Sequence, residues 1–373
     1  MKARLQSIDL ARGLVMMLMA LDHVRDYFSA AHFDPTDLQR TNSALFVTRW
    51  VTHFCAPTFV FLAGVSAGIT RDRGKTRVEL ARFLLSRGLW LVLLEVTLVH
   101  LAWTFDPGYH FLGLQVIWVL GLSMVLLAAL QFLPRPVLAA IAIVFIAGHN
   151  LLDAVESRSP LWTFLHRMGP LAKVDDHTVF LVYPLVPWFA VMALGFCVAP
   201  VFAWDGQRRR RALLLAGGAA LLLFTALRGS NLYGDPQPFA LQSDPAFSLW
   251  SFLNTQKYPP SLLYLCMTLG PLALLLAALD RVQVADGNPF LVFGRVPLFF
   301  YLLHIPLIHG ATVVTARALD IPLPSHFLDE SRFGFDLTVV YAIWIAALLL
   351  LYLPCRWYAR TKARSQNPWL SYL

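Results

Sequence analysis

Apolar stretches of about 20 residues recur along the whole chain, broken by short segments rich in charge, proline and glycine. A helix needs about 20 mostly apolar residues to cross the roughly 30 Å hydrocarbon layer of a bilayer. Lipid offers no partner to a backbone N–H or C=O, so runs of this length imply helices. The pattern predicts ten spans, at about 8–28, 44–69, 79–104, 111–133, 136–154, 178–203, 212–228, 260–279, 288–316 and 335–355. The connections alternate in character. One set is basic: Arg71, Arg73, Lys75 and Arg77; Arg135; Arg208 to Arg211; Arg281; and Arg356, Arg360, Lys362 and Arg364. The other is acidic or mixed: Asp34 and Asp37; Asp106; Glu156, Asp175 and Asp176; Asp235 and Asp244; Asp320, Asp329 and Glu330. Ten spans place every basic loop and both termini on one side, which the positive-inside rule makes cytoplasmic.

Composition agrees. Of 373 residues, 58% are hydrophobic and 14% charged, with a mean hydropathy of +0.61. Soluble domains carry about 25% charged residues, so a soluble enzyme is excluded. The expected fold is an all-α polytopic membrane protein, a single transmembrane domain over residues 1–373, in a bacterial-type inner membrane. The 11 Trp, 11 Tyr and 27 Phe suit interfacial aromatic belts. A formal charge of +8 would suit nucleic acid, but the basic residues sit at the ends of apolar runs and serve orientation. The expected partner is therefore the lipid bilayer, with no nucleic acid; a homodimer is left open. Cys55, Cys197, Cys266 and Cys355 lie in or beside apolar stretches without CxxC spacing, so neither a disulfide frame nor a zinc site is expected. Lys2 and Arg4 before the first run, with Ser29–Ala31 after it, loosely resemble a signal peptide. The charges of Asp22, His23, Arg25 and Asp26 at its far end argue for a retained span. The longest outer connections, about 155–177 and 229–259, read as ordered caps over a cavity.

Ionisable residues inside spans are costly and mark functional candidates. Arg12 and His23 are eleven residues apart, which on a helix returns to within about 20° of one face, about 16 Å further along. That face carries a cation toward the cytoplasm and an imidazole toward the outer half. His53, Glu95, His100, His304 and His309 lie in later spans. Group transfer across a bilayer would use such a layout: arginine to grip an anionic donor by its phosphates, and histidine near neutral pKa as base for an acceptor hydroxyl or amine. The same side chains could equally serve as hydrogen-bond partners between helices.

The opening Ser7-Ile8-Asp9-Leu10-Ala11-Arg12-Gly13, with its later Asp22-His23, resembles the start of the acyltransferase-3 superfamily. Phe293-Gly294-Arg295 through Tyr301-Leu302-Leu303-His304-Ile305-Pro306 resembles a late helix of that family. Phe54 to Gly64 is similar to the second helix of its heparan-α-glucosaminide N-acetyltransferase branch. The resemblance implies a ten-helix transmembrane acyltransferase that passes an acyl group from cytoplasmic acyl-CoA, typically acetyl-CoA, to a sugar or glycan on the other side. Carried over, His23 becomes the catalytic base and Arg12 a donor contact. The lysosomal branch has asparagine at the His23 position and its histidine in the following loop. Here that loop holds only His32, so the base lies among His23, His32 and His53.

Several residues complete the candidate site. Asp22 is placed with His23 at the catalytic centre, although adjacent helical residues point about 100° apart; Asp22 shares a face with Arg25 or Asp26 instead. Arg295, at the cytoplasmic start of the ninth span, is a donor-phosphate candidate. Arg25, His53, Lys257 and His304 are acceptor-side candidates, with Lys257 opening the eighth span as Lys257-Tyr258-Pro259-Pro260-Ser261. Glu95 is expected to pair with Arg12 or Arg87. His304 and His309 point apart by about 140° and suit no shared ion, and Asp175-Asp176-His177 reads as solvated charge; no metal is expected. The alternative class is a transporter or flippase of a polar or anionic small molecule, using the same groups as a relay. Inverted repeats would mark that class, and the halves show no convincing repeat.

Overall fold

The computed structural model describes residues 5–321, 333–365, 367, 370 and 372; Lys2, Arg4, Asp329 and Glu330 of the charge pattern lie outside them. Every predicted apolar run contains a helix. They are α1 Gln6–Phe28, α2 Ser43–Asp72, α3 Arg77–Thr104, α4 Val116–Leu130, α5 Arg135–Leu152, α7 Leu185–Ala203, α8 Gly206–Ser230, α10 Leu262–Leu279, α12 Pro297–Ala318 and α13 Leu337–Arg364. Three short helices intervene: α6 Pro160–Leu165, α9 Pro245–Leu253 and α11 Pro289–Arg295. Among the described residues, eight of the long helices have the length and apolar composition to cross a bilayer. Of the other two, α1 is long enough but carries Asp9, Arg12, Asp22, Arg25 and Asp26, while α4 is apolar but has only 15 residues. The protein is an all-α, multi-pass membrane protein.

Two predicted spans begin differently. The runs from 111 and from 178 open as strands, β1 Phe111–Leu114 and β3 His177–Leu181, before turning into α4 and α7. With β2 Gly169–Val174 they form a small sheet in the order β1-β3-β2, β1 parallel and β2 antiparallel to β3. A short apolar run next to a longer one carries no periodicity that separates strand from helix. The run 288–316 is likewise broken at Val296, where Pro297 starts a new helix. Proline lacks the N–H needed to continue a helix, yet its fixed φ suits a first turn.

Helix crossings are closed by glycine. Gly13 faces the Phe290 carbonyl and Gly294 the Asp9 carbonyl, seating α1 on α11. Gly64 and Gly195 do the same for α2 and α7, and Gly88 and Gly121 for α3 and α4. At all three crossings a Cβ would run into the opposite backbone, so only glycine allows the approach. Lipid gives helices no hydrophobic reason to associate, and close packing supplies it instead. The outer end of the bundle, away from the basic loops, is covered by the sheet, α6 and α9. Arg228, 2% exposed at the outer end of α8, donates to the carbonyls of Gln237, Ser251, Phe252 and Asn254 and so fastens the 237–254 cap.

Candidate functional site

The first helix runs through the middle of the bundle and brings two cavities together. One, about 350 Å³, is lined by Arg12, Arg87, Arg295 and Lys362 among apolar walls that include Leu84, Leu91 and Met124. The other, about 100 Å³, lies toward the outer end and is polar, lined by Asp22, His23, Arg49, Thr52, Lys257 and Tyr258. Met19, Phe59, Val116 and Tyr301 line both, so the two cavities adjoin at these side chains.

His23 borders the outer cavity against the edge of Trp103, with ring centroids 4.8 Å apart. Its Nδ1 lies 2.7 Å from Nε2 of the fully buried His304. Nδ1 of His304 faces the carbonyls of Tyr301 at 2.7 Å and Phe300 at 3.1 Å. A carbonyl only accepts, so the His304 proton sits on Nδ1 and its Nε2 is bare. Nδ1 of His23 must then carry a proton and donate it to His304. In the neutral ring this leaves the lone pair on Nε2 of His23, the form a general base requires.

Asp22 does not touch His23. It accepts from Arg49 at 2.6 Å, Thr52 at 2.8 Å and Arg25 at 2.9 Å, the last as the i,i+3 partner foreseen on helical grounds. Arg25 also contacts Asp26 and is buried beneath the cavity rather than lining it. The network fixes Arg49 at the cavity wall, a residue inside the predicted span 44–69 that sequence reasoning passed over. Lys257 is buried and lines the cavity, its ammonium 5.0 Å from the Tyr258 ring. Burial pushes the Tyr258 hydroxyl pKa up, but the charges of Lys257 and Arg49 outweigh it and the net direction is down.

His53 lies outside the cavity: its Nδ1 donates to the Arg49 carbonyl at 3.0 Å and its own carbonyl accepts from Tyr264. His32 bonds the Phe333 carbonyl at 2.9 Å, also away from the cavity. His309 meets the Ala102 carbonyl at 3.1 Å and shares no hydrogen-bond partner with His304. Arg12 donates to the Leu62 carbonyl at 2.8 Å and to Ser66, and Arg295 pairs with Asp286 at 2.9 Å; both line the larger cavity. The expected pairing of Glu95 with Arg12 or Arg87 is overturned. Its carboxylate accepts the backbone N–H of Gln115 at 2.7 Å and of Trp118 at 3.1 Å. The first turn of α4 has unsatisfied N–H groups and a positive dipole end, and a buried carboxylate answers both.

A helical multi-pass membrane protein with a cationic cavity adjoining a polar cavity that holds an oriented histidine is the class these observations define. Residues 4–231 match the family model of the heparan-alpha-glucosaminide N-acetyltransferase catalytic domain, more than half of the chain. The chain belongs to that family, a family of acetyltransferases. No curated protein matches it.

Proposed function

We propose that the protein moves an acetyl group from cytoplasmic acetyl-CoA, or a related acyl-CoA, to the amine or hydroxyl of an extracytoplasmic sugar or glycan. The observation that carries this reading is the meeting of the two cavities across Met19, Phe59, Val116 and Tyr301, with His23 beside the join. Arg12, Arg87, Arg295 and Lys362 suit the phosphates of a CoA ester whose acyl-pantetheine arm lies between the apolar walls. The acceptor enters the outer cavity beside Arg49, Lys257 and Tyr258. Nε2 of His23 takes the acceptor proton as nitrogen or oxygen attacks the thioester carbonyl. The new C–N or C–O bond forms, the C–S bond breaks, and the CoA thiolate leaves with the proton returned from His23. Asp22 acts by holding Arg49 and Arg25, and Arg25 and His53 by supporting the cavity wall. The positive-inside rule supports a larger cavity that faces the cytoplasm, and the membrane of this reading is a bacterial-type inner one.

The test is thermal stabilisation of detergent-purified protein by acetyl-CoA, paired with transfer to glucosamine as a simple amino-sugar probe. A ligand at 100 times its Kd adds about 2.7 kcal/mol, a readable shift. Stabilisation in wild type that falls away in Arg12→Ala, with transfer lost in His23→Ala, is the expected result. No stabilisation by any acyl-CoA overturns the reading and favours a transporter.

A further inference from the structure

A second cluster lies at the outer end of α5, apart from both cavities. Among the described residues, His149, Asp153 and His166 form a group whose ligand atoms lie within 4.8 Å of one another. His149 is 2% and His166 4% exposed. His166 donates from Nε2 to Oδ1 of Asp153 at 3.1 Å, and Asn150 donates to Oδ2 of Asp153 at 2.7 Å. The Pro260 carbonyl lies beside the His149 ring, yet neither nitrogen of that ring makes a hydrogen bond of good geometry, nor does Nδ1 of His166. Buried polar groups are nearly always satisfied, and a histidine with both nitrogens unserved is an exception that needs a cause.

We propose that His149, Asp153 and His166 bind one zinc-type divalent transition metal. Two imidazoles and a carboxylate are a familiar donor set for such an ion, whereas calcium and magnesium prefer oxygen alone. A tetrahedral zinc with ligands at about 2.0–2.1 Å spaces them about 3.3 Å apart. The 3.1 Å between His166 and Asp153 already suits this, and the His149 donor, within 4.8 Å of both, would close the remaining gap on binding. Asn150 supplies the outer support that metal-bound carboxylates need. The same Asn150 accepts the N–H of Leu262 at 2.8 Å, at the start of α10 and five residues after Lys257. The ion therefore ties the end of α5, the α6 cap and the entry to α10 into one unit beside the outer cavity.

The test uses full-length protein without a histidine tag, chelator-stripped in detergent and titrated with zinc chloride. About one zinc per chain and a rise in the thermal midpoint are expected. His149→Phe should abolish both while leaving the metal-free midpoint close to wild type, because the replaced ring makes no good hydrogen bond. If that variant fails to fold, Asp153→Asn, which keeps an acceptor for His166, should weaken zinc at least about tenfold, the low end for losing even an outer partner. His110 and His177, exposed and stacked at 5.3 Å beside Asp106 and Asp176, are the rival binder. A zinc shift that survives His149→Phe or Asp153→Asn, one removed by His110→Ala, or no bound zinc in wild type would each overturn the proposal. The readout is metal content and stability, so failure of acetyl transfer leaves it unaffected.

Discussion

His304 decides what His23 can do. Two carbonyls hold its proton on Nδ1, and the bare Nε2 then fixes the proton of His23 on the far side from its free lone pair. General bases contribute about 10²–10⁴-fold, so His23→Asn should lower transfer from acetyl-CoA to glucosamine by about that factor. Stabilisation by acetyl-CoA should survive, since the larger cavity is untouched. His304→Phe keeps His23 but removes its acceptor, and its loss of rate should go the same way. Full activity in His304→Phe would reject the orienting role. A different pair gives a pH signature. His110 accepts protons more readily than usual because Asp106 hydrogen-bonds it and attracts its charge, and Asp106 is held low first by the backbone N–H of His110 and then by its ring. A raised histidine pKa adds stability that is full below its unfolded value, about 6.5, and is lost as pH rises through the folded one. The midpoint gap between wild type and His110→Ala should therefore be larger at pH 5.5 than at pH 8.5; an equal gap would show no such pairing. At this scale Arg12 and His23 were legible from their spacing on one helix. The bond from His23 to His304 was not, because it joins residues 281 apart and no local pattern encodes it.

At the scale of elements, apolar runs and breakers located every long helix, since lipid makes run length the dominant signal. They missed β1 and β3, whose few apolar residues merge with the helices that follow, and they misjudged Glu95. Charge bookkeeping paired Glu95 with a cation, but its partners are backbone N–H groups, and sequence does not display where a neighbouring helix begins. Glu95→Ala should thus destabilise the protein by about 1–3 kcal/mol, the cost of leaving a buried donor unmade, with the two orphaned N–H groups as the cause. Glu95→Gln keeps an acceptor oxygen and should lose less; equal losses in denaturant unfolding would restore the ion-pair view. The α1–α11 crossing gives the second test. Gly294 lies against the Asp9 carbonyl, and its neighbour Arg295 shares a cavity with Arg12. Gly294→Ala must push the helices apart, at about the 1–3 kcal/mol typical of overpacking. Acetyl-CoA stabilisation should weaken alongside the midpoint, because the spacing of the two arginines changes. Unaltered donor binding in this variant would separate the crossing from the site.

Across the whole molecule, a glycine-packed bundle sets the larger cavity, the proposed donor site, and an outer cap closes the side of the smaller one, the proposed acceptor site. Sequence composition suggested ordered caps at about 155–177 and 229–259, and both hold defined elements, but nothing in their residues revealed what fastens them. For the second cap the fastener is Arg228, a cation at the end of an apolar helix that reads as an ordinary interfacial charge. Its guanidinium satisfies four carbonyls of residues 237–254 and lies 3.7 Å from Asp235, which in turn accepts from Ser261 at 2.6 Å, four residues beyond Lys257. Removing one partner from a buried charged network costs about 3–5 kcal/mol, so Arg228→Met should loosen the cap more than any surface change. The consequence depends on where the loss lands. The proposed acceptor cavity borders Lys257 and Tyr258, downstream of the loosened segment, whereas Arg12, Arg87, Arg295 and Lys362, the cationic residues of the proposed donor cavity, sit on α1, α3, α11 and α13. Arg228→Met should therefore raise KM for glucosamine severalfold while acetyl-CoA binding holds. Equal weakening of donor and acceptor would mean that the cap and bundle form one cooperative body, and that the two sides cannot be tuned apart.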